Sequence, residues 1–219
     1  DDGDSWEVFS SVEAYQAAAQ RAQSGERAAR SLLGAAELCE RKLNQAADAL
    51  ELYRAALGHS YAALGGAGAK AGKPDAQIIA DRDAAWAGAE RLLRSDKNLR
   101  DLAGLDALFV DRLAHTPQTE SEERAALLQQ RLDLLAELRS VGDKAGGDAE
   151  AGQAAMVQTI RELAMLRPQD DVLLSKLEDQ LRALGQLAAV RDIARLRAQG
   201  AAVRGADAAA QAERWLHVS

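Results

Sequence analysis

Residues 66–71, Gly66-Ala67-Gly68-Ala69-Lys70-Ala71, satisfy G-x-G-x-x-A, the spacing by which a dinucleotide fold brings backbone amides up to a pyrophosphate at a helix N-terminus. That chemistry needs a buried parallel strand in front of the glycines, and here a helical pattern precedes them. A P-loop fails as well, because Ala67 stands five residues before Gly72, and Lys73 is followed by Pro74 instead of Ser or Thr. The context therefore argues against a nucleotide-binding enzyme built on the 65–73 loop and for a flexible surface insertion. His59, His115 and His217 stand 56 and 102 residues apart, with no second His or Cys nearby at metal-ligand spacing, so no metal is expected. Cys39 lies between Ala36 and Leu43 on an apolar stripe, the place of a small packed hydrophobe, and no Cys-His or Ser-His-Asp grouping follows from spacing. The carboxylate pairs Glu122-Glu123 and Asp170-Asp171 both open helices, where negative charge complements the helix dipole without catalysis. No residue set names a reaction, so neither an enzyme nor a cofactor is expected.

The elements that would hold these residues are helices. Of 219 residues, 80 are Ala or Leu and only 13 are Val or Ile, a balance of strong helix formers over β-branched chains that predicts an all-α fold. Three prolines leave long uninterrupted helices possible nearly everywhere. Apolar periodicity places a first hairpin in Leu32, Ala36, Cys39 and Leu43, then Ala49, Leu50, Tyr53, Ala56 and Leu57, with a break at Asn44-Gln45. A second runs through Trp86, Ala89 and Leu93, then Leu99, Leu102, Leu105, Leu108 and Phe109. Leu128, Leu132, Leu135 and Leu138, then Met156, Ile160, Leu163 and Leu166, make a third across a loose stretch at 142–147. A fourth spans 170–184, turns at Gly185, and continues over 187–199 with Gly200 placed to end it. Terminal helices over 6–23 and 206–217 bring the total to about ten, and residues 65–74 form a Gly-rich insertion.

The hairpins repeat one another. Glu26-Arg27-Ala28-Ala29 recurs as Glu123-Arg124-Ala125-Ala126, and Leu38 and Glu40 recur at the same offset as Leu135 and Glu137. Trp86, Glu90, Leu93, Leu99 and Leu102 align with Leu174, Glu178, Leu181, Leu187 and Val190 at a constant offset of 88. Repeated hairpins that cannot bury their apolar faces alone stack side by side into an α-solenoid.

Met156-x3-Ile160-x2-Leu163 followed by Pro168, then Leu174-x2-Leu177-Glu178-x2-Leu181 with Gly185 at the turn, resembles the tetratricopeptide repeat through a repeat boundary. Ala49-x3-Tyr53-x2-Ala56-Leu57 is similar to that family's second-helix signature, and Trp86-x2-Ala89-Glu90-x2-Leu93 to its first. The chain departs from the pattern where Glu90 and Glu178 replace the helix-packing glycine and at the 65–74 insertion. The resemblance implies a degenerate bacterial array, a right-handed superhelix of about five antiparallel hairpins: an N-terminal helix over 1–25, four hairpins over 26–200, and a capping helix over 201–219. It also implies a concave surface lined by the helices 26–43, 83–95, 122–141 and 170–184. Arg30, Glu37 and Arg41, then Gln130, Asp133 and Glu137, then Lys176 and Asp179 face away from the leucine stripes on three of these, and become the candidate partner-binding residues. Trp86 falls at a packing position, whereas Trp6 and Trp215 lie in terminal helices where a neighbouring repeat would be missing, which makes them candidate terminal contacts.

A surface of mixed charge suits a peptide or helix of another protein, and the expected function is a non-enzymatic interaction scaffold or adaptor. The architectural alternative is self-assembly through the terminal helices. With 27 Lys and Arg against 34 Asp and Glu, the net charge of −7 disfavours a nucleic-acid backbone as partner. No apolar run approaches the ~20 residues of a membrane span. A lone cysteine fits a reducing, cytoplasmic compartment and leaves the periplasm open. The opening Asp1-Asp2-Gly3-Asp4, with no methionine or basic leader, reads as a processed end or an excerpt of a longer protein.

Overall fold

A computed structural model of the chain describes residues 2–65, 75–95, 100–145 and 149–203. Among these residues the fold is all-helical: α1 (Asp2–Gln20), α2 (Gly25–Arg41), α3 (Ala46–Gly65), α4 (Ala76–Ser95), α5 (Leu102–His115), α6 (Ser121–Ala145), α7 (Ala149–Leu166), α8 (Asp171–Ala183) and α9 (Leu187–Val203). The expected 66–71 motif, His217 and the terminal helix with Trp215 lie outside the described residues, as does the side chain of Trp6 in α1.

Local chemistry sets the boundaries. Ser24 is extended (φ −137°, ψ 146°) and its hydroxyl accepts from the Arg27 amide, capping α2. Between α2 and α3, Asn44 takes a left-handed conformation at φ 55°, which asparagine tolerates better than most residues, and the Gln45 amide donates back to the Cys39 carbonyl at 2.9 Å. At the α8–α9 turn Gly185 sits at φ 70°, while the amide of Gln186 returns to the Leu181 carbonyl at 2.9 Å. Asp170 accepts from the Leu173 amide at 2.9 Å and so starts α8.

Several boundaries differ from the sequence reading: α1 spans Asp2–Gln20 instead of the expected 6–23, and α4 begins at Ala76 instead of the expected 83. The stretch 142–145, expected as loop, continues α6, since a single glycine among good formers costs only about 1 kcal/mol. Gly200, expected to end α9, lies inside it and is buried next to Ala198 and Ala201, so tertiary packing overrides its weak helix propensity.

The chain divides into two compact units, Asp1–Leu108 and Phe109–Ser219. In the first, α1 packs on α2, α2 on α3, and α4 on both α2 and α3. The small residues Ala28, Ala29, Ala35 and Ala36 of α2 let these helices approach closely around Tyr53, Trp86 and Leu93. In the second, α6 packs on α7, α7 on α8 and α9, and α8 on α9, over a leucine core of Leu128, Leu132, Leu163, Leu174, Leu177 and Leu181. Two pairs related by the 88-residue offset share their burial, Trp86 with Leu174 and Leu93 with Leu181, whereas Glu90 is half-buried where Glu178 is buried, and Val190 is half-buried where Leu102 is buried.

Candidate functional site

The first unit is knitted by a polar cluster contributed by three helices. Glu40 of α2 accepts from the Tyr53 hydroxyl of α3 at 2.7 Å, and from Arg91 of α4 in a two-point grip, Nε to Oε1 at 2.9 Å and Nη2 to Oε2 at 2.7 Å. Burial alone pushes the Glu40 carboxyl up, but the bonds from Arg91 and Tyr53 and the charges of Arg91 and Arg41 outweigh it, and the net pKa falls below the usual glutamate value. The same burial, with the bond to Glu40, drives the Tyr53 phenol above the ordinary tyrosine range. Tyr53 is buried to 1% exposure, and Gly88 is what admits its ring: a Cβ built there would lie 2.6 Å from the ring carbons Cε1 and Cε2.

The second unit has a cluster of its own. Glu178, 5% exposed, receives Arg182 of its own helix at 3.2 Å and Arg197 of α9 at 3.0 Å, both on Oε2. Arg197 also reaches Asp171 at 3.1 Å and 3.3 Å, tying the last turns of α9 to the first turn of α8. Glu90 and Arg94 repeat the Glu178–Arg182 pairing at the same four-residue spacing, 88 positions earlier. Both clusters are built inside packed helices and act as structural bolts.

The remaining chemistry-bearing residues are occupied in similar ways. Cys39 is buried, and burial, then the charge of Asp48, raise its thiol pKa, so it holds the inert protonated form. Glu123 pairs with Arg112 at 3.0 Å, Glu122 pairs with Arg167, Asp170 caps and Asp171 binds Arg197. His115 Nδ1 lies 2.8 Å from the Asp111 carbonyl, and His59 is exposed on α3. Among the described residues no group of His, Cys, Asp and Glu has the geometry to hold a metal.

No family model matches the chain, and no curated protein or solved structure matches it. The site must therefore be read from its own surfaces.

The outward-facing candidates fall into two sets, one in each unit. On α2, Arg30, Glu37 and Arg41 stand opposite the buried face formed by Ala28, Ala29, Leu32, Ala35, Ala36 and Cys39. Arg30 is 56% exposed and its Nε–H bonds Asp81 of α4 at 3.1 Å; Glu37 is half-buried and Arg41 exposed. On α6, Gln130 and Asp133 are exposed, with Asp133 accepting from Gln129 at 3.3 Å, and Glu137 is half-buried. On α8, Lys176 is exposed and Asp179 is held by Arg182 at 2.7 Å. Trp86 is buried at 6% exposure, as its packing position implied.

Sequence reasoning missed Arg91, which completes the Glu40–Tyr53 cluster. The only available signal was a basic residue one position after Glu90 on the face turned toward α2. Arg21 and Arg27 were missed as well. Both line a surface cleft between α1 and α2, and nothing in their apolar-stripe register marked them.

Proposed function

We propose that the protein is a non-enzymatic interaction scaffold that binds a peptide or helical segment of a partner protein through polar helix faces, that of α2 in the first unit and those of α6 and α8 in the second. The reading adopts the solenoid of tetratricopeptide-like hairpins, with residues 26–200 as its repeated body. The observation that carries it is α2. Its buried stripe is spent on packing within the unit, while the opposite face carries a row of mixed charge, with Arg30 exposed and tied to Asp81 through Nε alone, Glu37 half-buried and Arg41 exposed, the surface a polar segment recognises through side-chain hydrogen bonds.

Cross-linking mass spectrometry in the native cell, with the full chain, tests this reading. The expected result is a reproducible set of protein partners cross-linked near α2, α6 or α8 and lost when Arg41→Glu and Lys176→Glu are combined. Recovery of no specific protein, together with turnover of a substrate by the purified chain, would overturn it.

A further inference from the structure

The turn that joins α1 to α2 forms one wall of a cleft of about 510 Å³ whose charged lining is Arg21, Arg27 and Arg30, with Tyr15, Gln23 and Ser31 supplying neutral polar atoms. No carboxylate lines it, in a chain whose net charge is −7. Arg30 is steadied by Asp81 through Nε alone, at 3.1 Å, and Gln77 braces that carboxylate from its other oxygen at 2.8 Å. Among the described residues the side chains of Arg21 and Arg27 bond to nothing, so two full positive charges remain uncompensated at the opening. The Tyr15 ring lies against α2 where Gly34 leaves room for it, 3.2 Å from a Cβ built there, which fixes the aromatic wall.

The internal repeat supplies a control. Arg124 stands where Arg27 stands in the first copy, and its Nη1 donates to the carbonyls of Leu113 and Thr116 at 2.6 Å and 2.7 Å, closing the end of the preceding helix. The cavity beside that turn also contains the carboxylate of Glu162. In one copy the arginine is consumed by structure; in the other it is turned out into a cleft with two more.

Resting on the scaffold reading, we propose that this cleft receives a phosphorylated side chain, phosphoserine or phosphothreonine, of the partner segment. A phosphate monoester brings about two negative charges at neutral pH and three acceptor oxygens. Two uncompensated guanidiniums match that charge, and planar arginine forks suit tetrahedral phosphate oxygens, with the Ser31 hydroxyl and Gln23 amide able to complete the shell.

The test is titration of the isotope-labelled full chain, followed by nuclear magnetic resonance, with a Gly-Ser host peptide carrying one phosphoserine. Parallel titrations use the unphosphorylated host, the host with Glu at that position, and free phenyl phosphate. The expected result is saturable shifts of the Arg21, Arg27 and Arg30 Nε signals with the phosphopeptide, at least tenfold weaker with the Glu host, and absent with the bare host. Binding should weaken from about pH 7.5 to about pH 5 as the phosphate takes up its proton near pH 6. Arg21→Gln combined with Arg27→Gln should lower the affinity at least tenfold while amide signals of α3 and α4 stay in place, because neither side chain has a partner to lose. Absent shifts, or equal affinity for the Glu host, would overturn the proposal. Equal affinity for phenyl phosphate would also overturn it, by assigning the cleft to a free phosphate compound. If the phosphopeptide fails while cross-linked partners persist, the scaffold reading stands without this site; if it binds while no partner is ever cross-linked, the scaffold reading fails independently.

Discussion

Gly88 and Tyr53 show how one missing methyl group sets the packing of three helices. Because an added Cβ would overlap the ring of a fully buried tyrosine that is also pinned by Glu40, neither the ring nor the α4 backbone can yield cheaply. Gly88→Ala is expected to destabilise the protein by about 2–3 kcal/mol despite alanine's better helix propensity, read as a lower urea midpoint at unchanged slope. Glu40 makes a second prediction with a definite sign. Its pKa is lowered in the folded state, so its contribution is complete above the unfolded value near 4.5 and is lost as pH falls through the folded value. Glu40→Gln should therefore cost about 1–2 kcal/mol at neutral pH, and the gap to the parent should narrow in denaturant melts as the pH is taken progressively below 4.5. A gap that stays constant as the pH falls would mean that the carboxylate charge does not carry the interaction. At this scale the sequence was legible for apolar residues and poorly so for charged ones. Tyr53, Trp86 and Cys39 are buried as their stripes implied, because period alone fixes which side of a helix faces inward. Arg91 escaped notice because a guanidinium on a long stem reaches partners that its register does not specify.

Helix ends were legible wherever a single residue type has one cheap conformation. Asp170 and Gly185 bracket α8 for that reason, and both are open to measurement. Asp170→Ala removes the acceptor for the Leu173 amide and is expected to cost about 1 kcal/mol. Gly185→Ala should cost about 1 kcal/mol through backbone conformation alone, since nothing lies within 4 Å of a Cβ at that position. Thermal melts of both single variants and of the pair separate the two causes: independent ends give additive losses, whereas a frayed α8 that releases Glu178 from Arg197 gives more than the sum. Where packing instead of capping decides, the same reasoning misplaces the boundary. Gly200 carries the signature of a helix end, yet it is buried inside α9, where packing and not its weak helix propensity decides.

For the whole molecule, the all-helical class follows from composition, because so few β-branched residues leave no material for a sheet core. The proposed solenoid carries a stronger implication, that stability is local and passes from neighbour to neighbour along the chain. Gly88→Ala supplies the probe, because its damage falls on the packing of α2, α3 and α4 around Tyr53. In a linear array, the free energy of hydrogen exchange should fall most for the slow amides of α2, α3 and α4. The loss should shrink progressively toward α8 and α9. A protein with one global unfolding step would instead show the same loss at every slow amide, since all of them would exchange through a single opened state. Native-state exchange on parent and variant, compared helix by helix in low denaturant, distinguishes these patterns. A uniform loss of about 2–3 kcal/mol from α2 through α9 would rule out nearest-neighbour behaviour, and with it the proposed solenoid.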